Sequence, residues 1–190
     1  VDLSTQRKRV SVGGSWIGAS DWEYAVNFRH ETKEGTKRTA GSFFVNSAQL
    51  VEPVDYVTDQ VDASASYTGG KWQAKFAYYG STFRNSNHSL TWQDPYRTII
   101  GESAGQLGLP PDNQFHQLMA SAGYQFSDRT RASADIAWGR MTQNDNFLAS
   151  TLTRPVLLGG LPALPESSLN GRAATLDANL KLSSAVTQQL

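Results

Sequence analysis

The stretch "YVTDQVDASASYTGGKWQAKFAYY", Tyr56 to Tyr79, decides the fold. It contains two runs in which apolar residues fall at alternate positions, joined by Thr-Gly-Gly-Lys. In the first run Val57, Val61, Ala63, Ala65 and Tyr67 share one face. Thr58, Gln60, Asp62, Ser64 and Ser66 share the other. In the second, Trp72, Ala74, Phe76 and Tyr78 oppose Gln73, Lys75 and Tyr79. Successive side chains of a strand point to opposite faces, so a period of two reads as a strand with one apolar and one polar surface. The glycines between the runs suit a tight hairpin turn.

The same pattern recurs along the chain. "WEYAVNFRH" sets Trp22, Tyr24, Val26 and Phe28 against Glu23, Asn27 and Arg29. "HQLMASAGYQF" sets Leu118, Ala120, Ala122, Tyr124 and Phe126 against Gln117, Ser121 and Gln125. "RASADIAW" sets Ala132, Ala134, Ile136 and Trp138 against Arg131, Ser133 and Asp135. "ATLDANLKL" sets Ala174, Leu176, Ala178, Leu180 and Leu182 against Asp177, Asn179 and Lys181. "RVSVGGSWI" places Val10, Val12 and Trp16 on an apolar face. This template yields about seven strands.

The gaps between strands alternate in length. Gly18–Asp21, Thr68–Lys71 and Ser127–Thr130 are tight turns. Glu31–Asp55, Arg84–Gln114 and Asn144–Gly171 are long connections, well beyond ordinary loop lengths. Short periplasmic turns alternating with long extracellular loops are the pattern of an outer-membrane barrel. The aromatics agree. Trp16, Trp22, Tyr67, Trp72, Tyr124 and Phe126 lie on the apolar face beside the short turns, as a girdle at one membrane interface requires. Tyr78 and Trp138 lie further along, where a second girdle would fall. Charges on the apolar face, such as Asp59 and Arg140, come at strand ends near the long connections.

A soluble β-sandwich also alternates, but it has no reason to gather every long loop at one end. Its core would also call for bulkier residues than Ala63, Ala65, Ala120, Ala122, Ala132 and Ala134. The expected fold is therefore all-β: about seven antiparallel strands forming a section of a large transmembrane barrel. An odd number of strands does not close a bacterial barrel, and "VDLSTQRKRV" has no apolar signal-peptide core. Residues 1–190 are thus expected to be an internal part of one barrel domain.

Composition narrows the functions. The chain has 190 residues, no cysteine, and 17 basic against 17 acidic side chains. Charge balance gives no footprint for nucleic acid, and the lack of cysteine excludes disulfides, thiolate metal sites and covalent attachment of c-type haem. His30, His88 and His116 show no metal-ligand spacing. "VGGSWIG" lacks the glycine spacing of a phosphate loop, and "TQNDN" lacks the spacing and final Glu of a calcium loop. Asp62, Asp135 and Asp177 share the polar face with Arg29, Lys75, Arg131 and Lys181, where charge pairing is expected rather than catalysis. No enzyme activity is expected.

The connections carry more specific signals. Pro53, Asp55, Tyr56, Thr58 and Asp59 form a Pro-x-Asp-Tyr-x-Thr-Asp segment. Gly80, Ser81, Phe83 and Asn85 form Gly-Ser-x-Phe-x-Asn. Leu90, Thr91, Trp92 and Pro95 follow, with Asp94 and Tyr96 departing from an Asn-Pro-Phe-like end, and later come Pro111, Asn113, Gln143 and Asn144. In this order, from about Arg7 to the end of the chain, these motifs resemble the MtrB/PioB family of decahaem-associated outer-membrane barrels.

The resemblance implies a bacterial outer-membrane protein that sheaths a periplasmic decahaem c-type cytochrome and supports electron transfer across the membrane. An outer-surface cytochrome or reductase is a further implied partner. The barrel itself would bind no cofactor, since the haem belongs to the cytochrome. Parity then nominates lumen residues: Gln60, Asp62, Ser64, Ser66, Gln73, Lys75, Gln117, Ser121, Ser133, Asp135, Asn179 and Lys181. "FRNSNHSLTWQDPY", Phe83 to Tyr96, is expected to begin an ordered extracellular loop. Trp92 and Tyr96 would pack it over the rim, with Asn85, Asn87 and Asp94 bonding turn backbone. A general porin or substrate channel is the alternative, and a soluble β-sandwich binding domain the second.

Overall fold

The computed structural model describes residues 3–18, 20–43, 46–93, 104–149, 152 and 164–185. Among these residues nine strands form: β1 (Thr5–Ile17), β2 (Trp22–Phe43), β3 (Asn46–Gly69), β4 (Trp72–Asn85), β5 (Ser89–Gln93), β6 (Ala104–Gly108), β7 (Asn113–Ser127), β8 (Thr130–Gln143) and β9 (Gly171–Ser184). Seven make one antiparallel sheet in the order β1-β2-β3-β4-β7-β8-β9, and β5 and β6 pair separately. Chain order equals sheet order apart from the inserted β5–β6 hairpin, as expected of an up-and-down barrel wall.

The short turns fall where glycine, aspartate and serine permit them. Gly70 holds φ 53° at the first central position of the β3–β4 turn, a backbone shape that costs glycine nothing. Asp21 holds φ 57° before β2. At the β7–β8 turn the register shifts between Gln125 and Ser127, a bulge that carries Phe126.

The sheet is a single layer. No second sheet covers its apolar face among the described residues, where Leu180 is 80% exposed and Leu176 and Leu182 are each 70% exposed. Among the described residues, buried apolar side chains are confined to Val54 in the β2–β3 extension and Leu109 in the β6–β7 connection. A sandwich would have buried those leucines against a facing sheet. An apolar face left open across a wide sheet is instead what lipid solvates.

Glu31–Asp55 is not a loop. β2 and β3 run unbroken through it, pairing from Trp22 with Tyr67 to Phe43 with Asn46. From Glu31 to Phe43 the hairpin continues about 40 Å at the usual strand rise. The alternation fades there because neither face meets lipid: one meets water and the other lies against the β5–β6 hairpin, and polar residues occupy both. Backbone pairing carries the ladder on without it. Arg84–Gln114 holds the β5–β6 hairpin, a second strand pair in a stretch expected to be connection.

Candidate functional site

The sheet register sorts the side chains into two continuous faces. One lateral row runs Trp16, Tyr24, Ala65, Phe76, Ala120, Ile136, Ala178. The next toward the long connections runs Gly14, Val26, Ala63, Tyr78, Leu118, Trp138, Leu176. Ala174 to Leu182 on β9 spans ~27 Å along the strand, or ~20 Å along the membrane normal at a usual barrel tilt, close to the height of an outer-membrane apolar band. No helix of the described residues is long and apolar enough to cross a membrane.

The six aromatics expected at the short-turn end form two ring clusters. Trp16 stacks on Tyr24 at 5.5 Å, Tyr24 lies 6.1 Å from Trp22, and Trp22 lies 5.4 Å from Tyr67. Trp72 meets Tyr124 at 4.5 Å, and Tyr124 meets Phe126 edge-on at 4.8 Å. Tyr24, not among the six, links the first cluster because it pairs directly with Trp16.

The opposite face is small and polar. A row runs Glu23, Ser66, Lys75, Ser121, Asp135, Asn179, and its neighbours hold Gln73, Ser133, Lys181 on one side and Ser64 on the other. Asp62 and Gln117 flank Tyr79 one row further on, and Gln60 lies beyond them. All the residues nominated by parity thus share this face. The charge pairing expected among them does not form: within 4 Å no ion pair joins Asp62, Asp135 or Asp177 to Arg29, Lys75, Arg131 or Lys181 among the described residues. Strand-to-strand spacing keeps Lys75 and Asp135 apart, with Ser121 between them. Arg29 instead donates to Gln60 at 3.1 Å, and Gln60 donates to the Tyr79 hydroxyl at 2.7 Å. Tyr79 and Phe115, 5.9 Å apart, add aromatic surface to this face. Phe115 stands two residues before Gln117, so strand parity would have found it.

The motif residues cluster where the wall meets the long connections. Asp59 takes His30 at 2.6 Å and Arg84 at 2.7 Å. Tyr56 packs edge-on against Phe83 at 5.2 Å. The Tyr78 hydroxyl lies over Gly80, where a Cβ would approach it to 2.6 Å. Ser81 pairs with Gln60 and Phe115, and Thr58 with Phe83. Pro53 pairs with Thr36, and Asp55 accepts the Ser86 N–H through its carbonyl at 3.0 Å. Pro95, Asp94 and Tyr96 lie outside the described residues.

Asn85, 2% exposed, organises the connections. Its N–H donates to Asp112 Oδ1 at 2.7 Å, its Nδ2 to the Pro110 carbonyl at 3.0 Å, and its Oδ1 accepts the Asn87 N–H at 3.0 Å. Asn87 contributes its backbone to that turn. Trp92 pairs across the β5–β6 hairpin with Gly105 and lies against Gly41 of β2, where an added Cβ would come within 2.9 Å of its ring. Gly41, Lys37, Lys33 and Arg29 share one face of β2 by alternation, the face that becomes the polar surface of the wall. The β5–β6 hairpin therefore folds onto the inner side of the projecting β2–β3 hairpin. Beneath it Glu52, 5% exposed, holds Lys37 at 2.8 Å. That bond raises the Lys37 pKa, against partial desolvation that lowers it, with further help from the Tyr56 hydroxyl.

A single antiparallel layer, apolar outside, polar inside and ringed by aromatics at one end, is a segment of an outer-membrane β-barrel wall. The sequence profile of the outer membrane beta-barrel porins MtrB/PioB matches residues 1–190, and the chain belongs to that family. It is 32% identical over 192 residues to an outer membrane protein MtrB of Shewanella baltica (strain OS185). The match covers 100% of this chain and 26% of that relative, so the chain spans about a quarter of the relative's length.

Proposed function

We propose that this chain forms part of an outer-membrane sleeve around a periplasmic decahaem c-type cytochrome, which carries electrons across the membrane. The carrying observation is the inner face. On β3, β7 and β8 it presents Ser64, Ser66, Ser121 and Ser133 beside isolated charges, with the bulkier Tyr79 and Phe115 set toward the long connections. Small polar side chains let a folded partner approach closely while the outer face satisfies lipid. Lys75, Asp135 and Lys181 have no ion-pair partner within this chain among the described residues, so they are free to pair with a protein seated against them. In this reading haem belongs to the cytochrome, and the barrel supplies insulation and position rather than redox chemistry. The projecting β2–β3 hairpin would present the surface for an outer-surface cytochrome or reductase.

The test is affinity purification of the intact protein from detergent-solubilised outer membranes, followed by visible absorbance. A c-type Soret band with a stoichiometric haem-staining partner supports the sleeve. A colourless, folded barrel from cells that make such cytochromes supports the second reading, a porin-like channel, which the polar inner face also suits.

A further inference from the structure

The outer face changes character one row beyond Tyr78, Leu118, Trp138 and Leu176. There Gly80, His116, Arg140 and Ala174 are register partners, and Arg172 follows diagonally, paired with Thr142. Direct and diagonal partners on one sheet face lie within reach of a common ligand of phosphate size. Arg140 and Arg172 are exposed. Arg140 has no hydrogen-bond or ion-pair partner among the described residues, and Arg172 reaches only the Asn170 side chain at 3.5 Å. His116 Nδ1 shares a 2.7 Å hydrogen bond with the Tyr78 hydroxyl, which leaves Nε2 as the nitrogen available to a ligand.

On β7, β8 and β9 the surrounding rows of this face hold no carboxylate. Gln114 and Thr142 lie above, and Gly80 and Ala174 alongside are too small to screen the cations. The nearest acid on the same face, Asp59, is two strands away and already holds His30 and Arg84. In the connections above, Asp112 and Asp145 accept backbone N–H groups. Just below the cations, Leu118, Trp138 and Leu176 are 55%, 43% and 70% exposed. The long connections mark this end as extracellular, so the cations stand at the headgroup level of the outer leaflet.

We propose that His116, Arg140 and Arg172 form an outward-facing site for the phosphate headgroup of an outer-leaflet glycolipid. Its acyl chains would lie along Leu118, Trp138 and Leu176. Guanidinium groups suit this role because their donors match phosphate oxygens in pairs.

The intact protein, delipidated in mild detergent, would be titrated with lipid A, the diphosphorylated glycolipid of that leaflet, and with its dephosphorylated form. The wild type should bind the phosphorylated lipid, and Arg140→Gln/Arg172→Gln should weaken binding by about tenfold or more. Arg140→Lys/Arg172→Lys should recover part of the affinity lost in the glutamine variant, since the charge returns without the paired donors. Heat-modifiable migration on a gel verifies that each variant is a folded barrel, and His116→Gln provides an independent weakening if the double variant does not assemble. Equal affinity of wild type and the glutamine variant, equal binding of the dephosphorylated lipid, or complete displacement by millimolar inorganic phosphate would each overturn the proposal.

Discussion

The Asn85 N–H donates to Asp112 Oδ1 at 2.7 Å, joining the ends of the β4–β5 and β6–β7 connections. Asp112 passes the link on, since its own N–H donates to Asp145 Oδ2 at 2.9 Å in the β8–β9 connection. Both ends of the Arg84–Gln114 connection are thereby tied to the β8–β9 connection at one point above the wall.

Asn85→Ala removes the side-chain bonds to Pro110 and Asn87 from a site that excludes water. The expected cost is about 2 kcal/mol, concentrated in the connections rather than the sheet. Amide hydrogen exchange would show faster exchange at Asn87, Leu109 and Asp112 with unchanged protection in β7 and β8. Unaltered exchange at those three amides would count against the tie.

Trp92→Ala removes the ring that covers Gly41 and Gly105 and so frees the β5–β6 hairpin from the inner side of β2. Loop protease sensitivity should rise while the barrel's unfolding midpoint stays within experimental error. If the loop also helps retain a cytochrome, the purified complex should lose haem on washing faster than wild type. Unchanged protease sensitivity would mean the ring does not hold the hairpin down.

Ala120 and Ser121 are neighbours in the chain on opposite faces. Ala120 lies between Phe76 and Ile136, and Ser121 between Lys75 and Asp135. Ala120→Arg should destabilise the intact protein in vesicles by ~2–4 kcal/mol, as charges on a lipid-facing barrel surface do. Ser121→Arg should cost under ~1 kcal/mol. Denaturant unfolding of both variants measures the contrast, and a reversed order would invert the assignment of the faces.

Lys37 titrates above the ordinary lysine range because of its bond to Glu52. A folded-state value raised above the unfolded one contributes stability that is complete below the unfolded value. That contribution disappears as pH climbs through the raised value. Protection of the β2–β3 extension should therefore be flat from neutral pH up to the ordinary lysine range and fall only above it. Lys37→Met should abolish that alkaline step and leave Glu52 buried without its cation. A step that persists in Lys37→Met would assign it to another group.

The two faces were legible in the sequence because lipid and water impose opposite demands on alternate residues. Val61, Ala63 and Ala65 against Gln60, Asp62 and Ser64 need no partner strand to be read. The aromatic ends of β1 to β4 were legible for the same reason, and the tight turns because Gly70 and its neighbours permit few other shapes. What lay beyond the membrane was not legible in this way. The β2–β3 extension shows no apolar-against-polar alternation, since lipid meets neither face, and only register propagated from Trp22 and Tyr67 extends it to Phe43. Charged residues sharing a face suggested ion pairs, but sheet spacing set Ser121 between Lys75 and Asp135. The tie from Asn85 through Asp112 to Asp145 joins residues distant in the chain. Local propensity carries no information about such contacts; only the assembled wall, which fixes where each connection starts and returns, brings them together.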